Sequence, residues 1–193
     1  MVSVIVITYN SSKWVINTLD SIYRQTFPDI ELIISDDCST DNTYNLCKKW
    51  MQSHRSRFRN AICTQTPHNG GICWNYNHAL KYVKGDWIKY IAGDDILMDD
   101  CIEQYLRQIK EDSCIFFGDN LHINEAGDKQ YVGCALPLGD ANSQLYGMLR
   151  YRYVMEGSTL FTKRLPLLML SAFDIKYPML EDYQIAMRYS LIP

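Results

Sequence analysis

Three acidic pairs and one polar tripeptide carry most of the chemistry open to this chain. Asp94-Asp95 follows an apolar run and Gly93. Two adjacent carboxylates at such a point suit Mg²⁺ or Mn²⁺, hard ions that take oxygen ligands and share coordination with substrate phosphates. A solvated acidic turn is the competing explanation, with Asp99 and Asp100 close by. Asp36-Asp37 precedes Ser39, Thr40 and Asp41. Thr40 and Asp41 suit a helix cap, which leaves Asp36 or Asp37 free to accept hydrogen bonds from a base or a ribose. Glu181-Asp182 opens an amphipathic stretch, where acids complement the helix dipole. The functional alternative is a general base that takes the proton of a hydroxyl nucleophile. Thr8-Tyr9-Asn10 closes the first apolar run.

Other chemistries are missing. There is no G-x-G-x-x-G and no G-x-x-x-x-G-K, so phosphate binding through a glycine-rich loop cannot be argued, and a metal must carry much of the phosphate charge. The alternating oxygen ligands of an EF-hand are absent. The seven cysteines, Cys134 among them, contain no C-x-x-C pair, and His54, His68, His78 and His122 form no HExxH. The cysteines read as reduced, small apolar residues.

The elements that must position these residues follow from hydrophobic period. Residues 2–7 are β-branched and nearly all apolar, as in a buried parallel strand. Val15, Leu19 and Ile22 then recur at helical spacing until Phe27-Pro28. Strands over 30–34, 61–64 and 87–91 alternate with helices carrying Cys47 and Trp50, then Tyr76, Leu80 and Val83. Such alternation builds a mostly parallel sheet covered on both faces, whose ligands bind beyond the carboxyl ends of the strands. Thr8-Tyr9-Asn10, Asp36-Asp37 and Asp94-Asp95 all fall at those ends. The second half is less regular: a helix from Ile102 to Ile109, a strand over 114–117, a hairpin turning at 124–128, an extended piece over 157–161 and a helix over 181–191.

Composition sets the outer bounds. The 193 residues are 47% hydrophobic and 21% charged, which excludes a disordered chain and leaves one domain. A net charge of −3 offers no field for nucleic acid. No apolar run is long enough to span a bilayer. The N-terminus lacks the basic region of a secretory signal, so a cytoplasmic protein is expected.

Five blocks, V-S-V-I-V-I-T-Y-N, E-L-I-I-S-D-D-C-S-T-D, N-G-G-I-C-W-N-Y-N, Y-I-A-G-D-D and E-D-Y-Q-I-A-M-R, run through the whole chain, and their order and spacing resemble family 2 glycosyltransferases. The resemblance implies an α/β, GT-A-like fold: a Rossmann-like, mostly parallel sheet flanked by helices on both faces. It also implies an inverting, hexosyltransferase-type enzyme (EC 2.4) dependent on Mn²⁺ or Mg²⁺. Such an enzyme moves sugar from a nucleoside-diphosphate sugar, such as a UDP-sugar, to an acceptor hydroxyl in surface polysaccharide or glycan biosynthesis. Carried over by position, Tyr9 and Asp37 look like nucleobase contacts, and Asp94 like the ribose or diphosphate neighbour. Asp95 looks like the metal ligand and Asp182 like the catalytic base. Thr8 and Asn77 look like lining residues of the nucleotide-sugar site. The family usually has Gly where Cys38 stands and often a further Asp where Ala92 stands.

On this basis residues of about 1–98 form the nucleotide-sugar-binding half and about 99–193 the acceptor-side half of a single domain. Family members usually continue beyond this point, in a tail that closes the acceptor site or anchors to a membrane. The implied partners are the sugar nucleotide and a glycan or lipid-linked acceptor. Peripheral association with the inner face of the membrane and a homodimer are both compatible with that role. Two other readings compete. Metal-dependent nucleotidyl transfer leaves Asp182 without a role, and a catalytically silent nucleotide-sugar-binding module would bind without turnover.

Overall fold

The computed structural model describes residues 1–124, 126–133 and 156–189, together with Ser143 and Tyr146. Glu125, Cys134 and the 190–191 end of the expected last helix lie outside the described residues.

Four parallel strands form the centre: β1 (Val2–Thr8), β2 (Ile30–Asp36), β3 (Asn60–Gln65) and β4 (Trp87–Ala92), in the spatial order β3-β2-β1-β4. Helices α1 (Val15–Tyr23), α2 (Thr43–His54) and α3 (Ile72–Leu80) make the crossovers, and α4 (Cys101–Gln108) follows β4. Strand β5 (Ile115–Phe116) leads into a hairpin of β6 (Asn120–Ile123) and β7 (Lys129–Val132). The hairpin turns as expected, with Gly127 at φ 86° and Asn124 N–H donating to Asp128 O at 3.1 Å. Strand β8 (Phe161–Lys163) pairs antiparallel with both β4 and β5 and completes a six-stranded sheet. Helices α5 (Arg164–Met169) and α6 (Glu181–Tyr189) follow.

Side chains alternate across the strands, so each face buries its own core. Val2, Val4 and Val6 face α1 and α2 through Leu19, Ile22 and Trp50. Ile5 and Ile7 face α3 and α6 through Tyr76, Leu80 and Ile185. Each fully buried aliphatic side chain contributes roughly 1.5–3 kcal/mol. At the β4–β8 seam Phe161 stacks on Trp87, with ring centroids 5.0 Å apart and planes at 8°, and on Tyr105 of α4, also at 5.0 Å.

One expected element differs. Residues 157–161 are not extended throughout. Gly157–Thr159 is a 3₁₀ turn and the strand starts at Phe161. The Thr159 N–H and hydroxyl both donate to Glu156 O, at 2.9 and 2.8 Å, and this local bonding outcompetes the strand.

Candidate active site

The strand register brings the polar ends together: Thr8 lies opposite Asp36, and Ile7 opposite Ala92. Gly93 N–H donates to Ile7 O at 2.9 Å, and a Cβ on Gly93 would lie 2.7 Å from Thr8 Cγ2. Only glycine lets the turn after β4 sit this close to β1, and that turn presents Asp94 and Asp95. Asp94 is exposed and Asp95 half-buried. Burial, then the charge of Asp94, push the Asp95 carboxyl up to about 6, with Glu156 adding and the Lys89 ammonium opposing. Crowded carboxylates of this kind fit a divalent cation. Among the described residues no three or more acidic, His or Cys side chains gather to hold one. Diphosphate oxygens and water would therefore complete the coordination, the usual habit of Mg²⁺.

The loops after β1 and β2 are tied to each other. Asn10 Oδ1 accepts from Thr40 N–H at 2.9 Å, from the Thr40 hydroxyl at 3.2 Å and from Asp41 N–H at 3.3 Å, while Asn10 N–H donates to Ser39 Oγ at 2.9 Å. Asn42, not Asp41, is the N-cap residue of α2 and makes no side-chain cap bond, but Asp41 just ahead of it serves the first turn by accepting the Thr43 N–H and hydroxyl at 2.9 and 2.5 Å. Thr40 does not cap, because its hydroxyl serves Asn10. Cys38 has φ 58°, the left-handed region that favours glycine, which gives a physical reason for the glycine expected there.

Neither Asp36 nor Asp37 is free, contrary to expectation. Asp36 accepts from the Thr8 and Ser39 hydroxyls, the Ser39 N–H and the Gln65 amide, at 2.6–2.9 Å. Thr8 is thereby buried against Asp36 rather than turned into the site. Asp37 takes the Thr66 hydroxyl at 2.9 Å, the Gly71 N–H at 2.7 Å and a shared Gly70 N–H at 3.1 and 3.2 Å. Each carboxylate oxygen thus takes two contacts, which fills the about four lone-pair positions, although the Thr66 hydroxyl also lies 2.8 Å from His68 O. Tyr9 is 46% exposed beside them.

Asp182 stands in the first turn of α6 with Oδ1 accepting from Tyr183 N–H at 2.6 Å. Burial raises its pKa, and the Glu156 charge adds to that against the backbone bonds. Through its charge Glu156 therefore acts in the same direction on both Asp95 and Asp182. It was not legible as a site residue, since one Glu in an irregular stretch has no periodic signal. The neighbouring Glu181 is also raised, by burial, and its Oε2 is buried without a hydrogen-bond partner among the described residues. Its charge falls on Cys73 and Tyr76 of α3. Asn77 is directed elsewhere. Its amide donates to Phe173 O at 2.7 Å and accepts from Phe173 N–H at 3.0 Å, lining a groove of about 400 Å³ with Trp74, Lys81 and Arg188.

Comparison with known proteins matches this arrangement to a family. The model of "Glycosyl transferase family 2" matches residues 3–169. Glycosyltransferase GlyG of Streptococcus pneumoniae is 30% identical over 133 residues, 68% of this chain and 42% of its own. Poly(ribitol-phosphate) beta-N-acetylglucosaminyltransferase TarS of Staphylococcus aureus is 32% identical over 111 residues, 56% of this chain and 19% of its own. The crystal structure of TarS 1-349 in complex with UDP superposes with a TM-score of 0.75 at 24% identity, covering 98% of this chain and 55% of that one. A Pyrobaculum calidifontis mannosyltransferase in complex with GDP-Man and Mn²⁺ gives a TM-score of 0.73 at 20% identity, covering 97% and 51%. The architecture is the GT-A fold. The chain spans less than half the length of these curated relatives and about half of the solved chains. Among the described residues no helix is long and apolar enough to cross a membrane.

Proposed function

This chain belongs to glycosyl transferase family 2, and on that premise we propose that it transfers a hexose, with inversion, from a nucleoside-diphosphate sugar to a hydroxyl of a glycan or lipid-linked acceptor. The product would be a surface polysaccharide or glycan; TarS is named a poly(ribitol-phosphate) beta-N-acetylglucosaminyltransferase. What carries the reading is the crowding of Asp94 and Asp95 at the carboxyl edge of the sheet, with the Asp95 carboxyl pushed up to about 6 and the Asp182 carboxyl also raised by burial. Asp95 would hold Mn²⁺ or Mg²⁺, with Asp94 beside the ribose or diphosphate. When bound, the ion supplies charge neutralisation to the departing diphosphate.

The chain's own groups do the rest. The exposed Tyr9 ring stacks on the base, and Asp37 accepts a base N–H once the Thr66 hydroxyl turns to His68 O, 2.8 Å away. Thr8 and Asn77 contribute at one remove, through the Asp36 loop and the Phe173 backbone that they fasten. Asp182 takes the acceptor hydroxyl proton while that oxygen bonds to the anomeric carbon. The bond from that carbon to the diphosphate oxygen breaks on the opposite face, and its electron pair leaves with the nucleoside diphosphate. A raised carboxyl pKa suits this base, because catalysis gains when the base is poised near the working pH. A lipid-linked acceptor would bring a cytoplasmic enzyme to the inner face of the membrane.

The test is calorimetry with UDP and GDP, first with Mn²⁺ and then with EDTA, on the parent and on Asp95→Asn. Binding should need the ion, and the variant should lose that dependence. Equal affinity with and without the ion would sink the metal role. Tight, metal-dependent binding of sugar nucleotides with no turnover would favour the silent module.

A further inference from the structure

Lys89 stands in the middle of β4 with no exposure, on the face that carries Trp87 and Ile91. A buried ammonium is costly unless its donors are met. Its Nζ donates to Tyr90 O at 2.7 Å, to Leu160 O at 3.4 Å and to Ser158 O. Tyr105 of α4 donates its hydroxyl to Thr159 O at 2.5 Å, and its ring centroid lies 5.7 Å from Nζ. One cation and one phenol thus hold three consecutive carbonyls, 158 to 160. Sheet pairing does not call for this, since the β4–β8 ladder already runs from Trp87–Lys163 to Lys89–Phe161. An apolar residue at 89 could fill the strand without desolvating a charge.

What these bonds fix is the turn ahead of β8. That turn begins at Glu156, whose carboxylate accepts from Asn120 at 2.7 Å and pairs with His122 at 2.9 Å. At its next residue, Gly157, a Cβ would come within 3.3 Å of Glu181 Oε1, so the turn lies against the first residue of α6.

We propose that Lys89, supported by Tyr105, is a positioning residue for the transfer step: by gripping the 158–160 carbonyls it holds Glu156 and Gly157 against the start of α6. The inference rests on the roles given above to Asp95 and Asp182. Neither Lys89 nor Tyr105 touches substrate in this scheme. They act through the turn.

Lys89→Met and Tyr105→Phe in the whole protein test it, with UDP, UDP-glucose, UDP-GlcNAc and Mn²⁺ as probes. UDP affinity should stay at the parental level in both variants. Mn²⁺-dependent turnover of the sugar nucleotide should fall by ~10-fold or more in Lys89→Met and by less in Tyr105→Phe, the scale set by small misplacements of reacting groups. The Thr159 and Leu160 amides, which donate to Glu156 O and Gly157 O at 2.9 and 3.1 Å, should exchange with solvent about 10-fold faster while β1 and β2 keep their rates. Parental turnover in Lys89→Met overturns the proposal. So does exchange that quickens equally through β1 and β2, because Lys89 would then serve general stability alone. A parent that neither binds UDP with Mn²⁺ nor turns over sugar nucleotide strikes the transferase reading instead, while the local exchange result still decides the grip on the turn.

Discussion

Asp182 and Glu181 share a helix turn, and burial raises the pKa of both, with the Glu156 charge adding at Asp182 and the Asp182 charge at Glu181. With Asp182 as the base proposed above, Asp182→Asn should keep fold and donor affinity while lowering transfer by ~10²–10⁴, the usual worth of a positioned base. Glu181→Gln should cost less. Steady-state transfer assays on both variants decide this, and near-normal transfer by Asp182→Asn would return it to a helix-start role. Asp37 presents a different balance. Removing its carboxylate strands the Gly70 N–H and leaves the Thr66 hydroxyl to His68 O and the Gly71 N–H to Asn69 Oδ1, so Asp37→Ala should lose about 1–3 kcal/mol of stability as well as nucleotide affinity. Denaturant melts beside UDP titrations separate the two. Unchanged affinity at reduced stability would make Asp37 a loop anchor only. None of this commitment was legible beforehand. The pair Asp36-Asp37 is plain in the sequence, but apart from Ser39 the partners that occupy it lie about thirty residues away and depend on strand register.

Among the elements, the loop between β2 and α2 carries both strain and an anchor for the first turn of the helix. A left-handed non-glycine residue costs roughly 1–2 kcal/mol, while glycine forfeits about 0.4–1 kcal/mol through the unfolded chain. Cys38→Gly should therefore stabilise the protein by about 0.5–1 kcal/mol, raising Tm by ~1–4 °C. A lower Tm would show that the thiol packs more than it strains. For Asp41, burial is the largest single influence and acts upward, yet the bonds from Thr43 and Ser12 together outweigh it and hold the carboxyl at about 2. A folded pKa below the unfolded value gives stability that is present above about pH 4 and is lost as pH falls toward 2. Because Asp41 is exposed, solvent screening leaves only about 1 kcal/mol of this. Asp41→Ala should accordingly trail the parent at pH 6 and converge with it near pH 2 in equilibrium unfolding.

The first four strands and their helices were readable because each declares its own period: runs such as Val2 to Ile7 admit few other structures. Strand β8 was not. It owes its place to pairing with β4, some seventy residues earlier. The Thr159 turn before it follows from side-chain bonds that hydrophobic pattern ignores. Lys89 escaped for a related reason: one charge inside an apolar strand reads as an edge or an exception until the carbonyls above it are known.

At the scale of the molecule, the stack of Trp87, Phe161 and Tyr105 fastens the parallel core to the antiparallel flank. Each ring belongs to a different element, so neither side keeps its hydrophobic surface covered if the other departs. The consequence concerns cooperativity. The half that holds β1 to β4 should not survive as an independent folding unit, and heating should give one transition. Tryptophan emission and far-UV circular dichroism should then report the same midpoint, the test for two-state behaviour in a chain of this size. Trp87→Ala, which opens a cavity at the seam worth ~3–5 kcal/mol, should split those midpoints or lower both together. If the parent already melts in two steps, the aromatic seam is a contact between autonomous parts, and a fragment ending after β4 should fold alone.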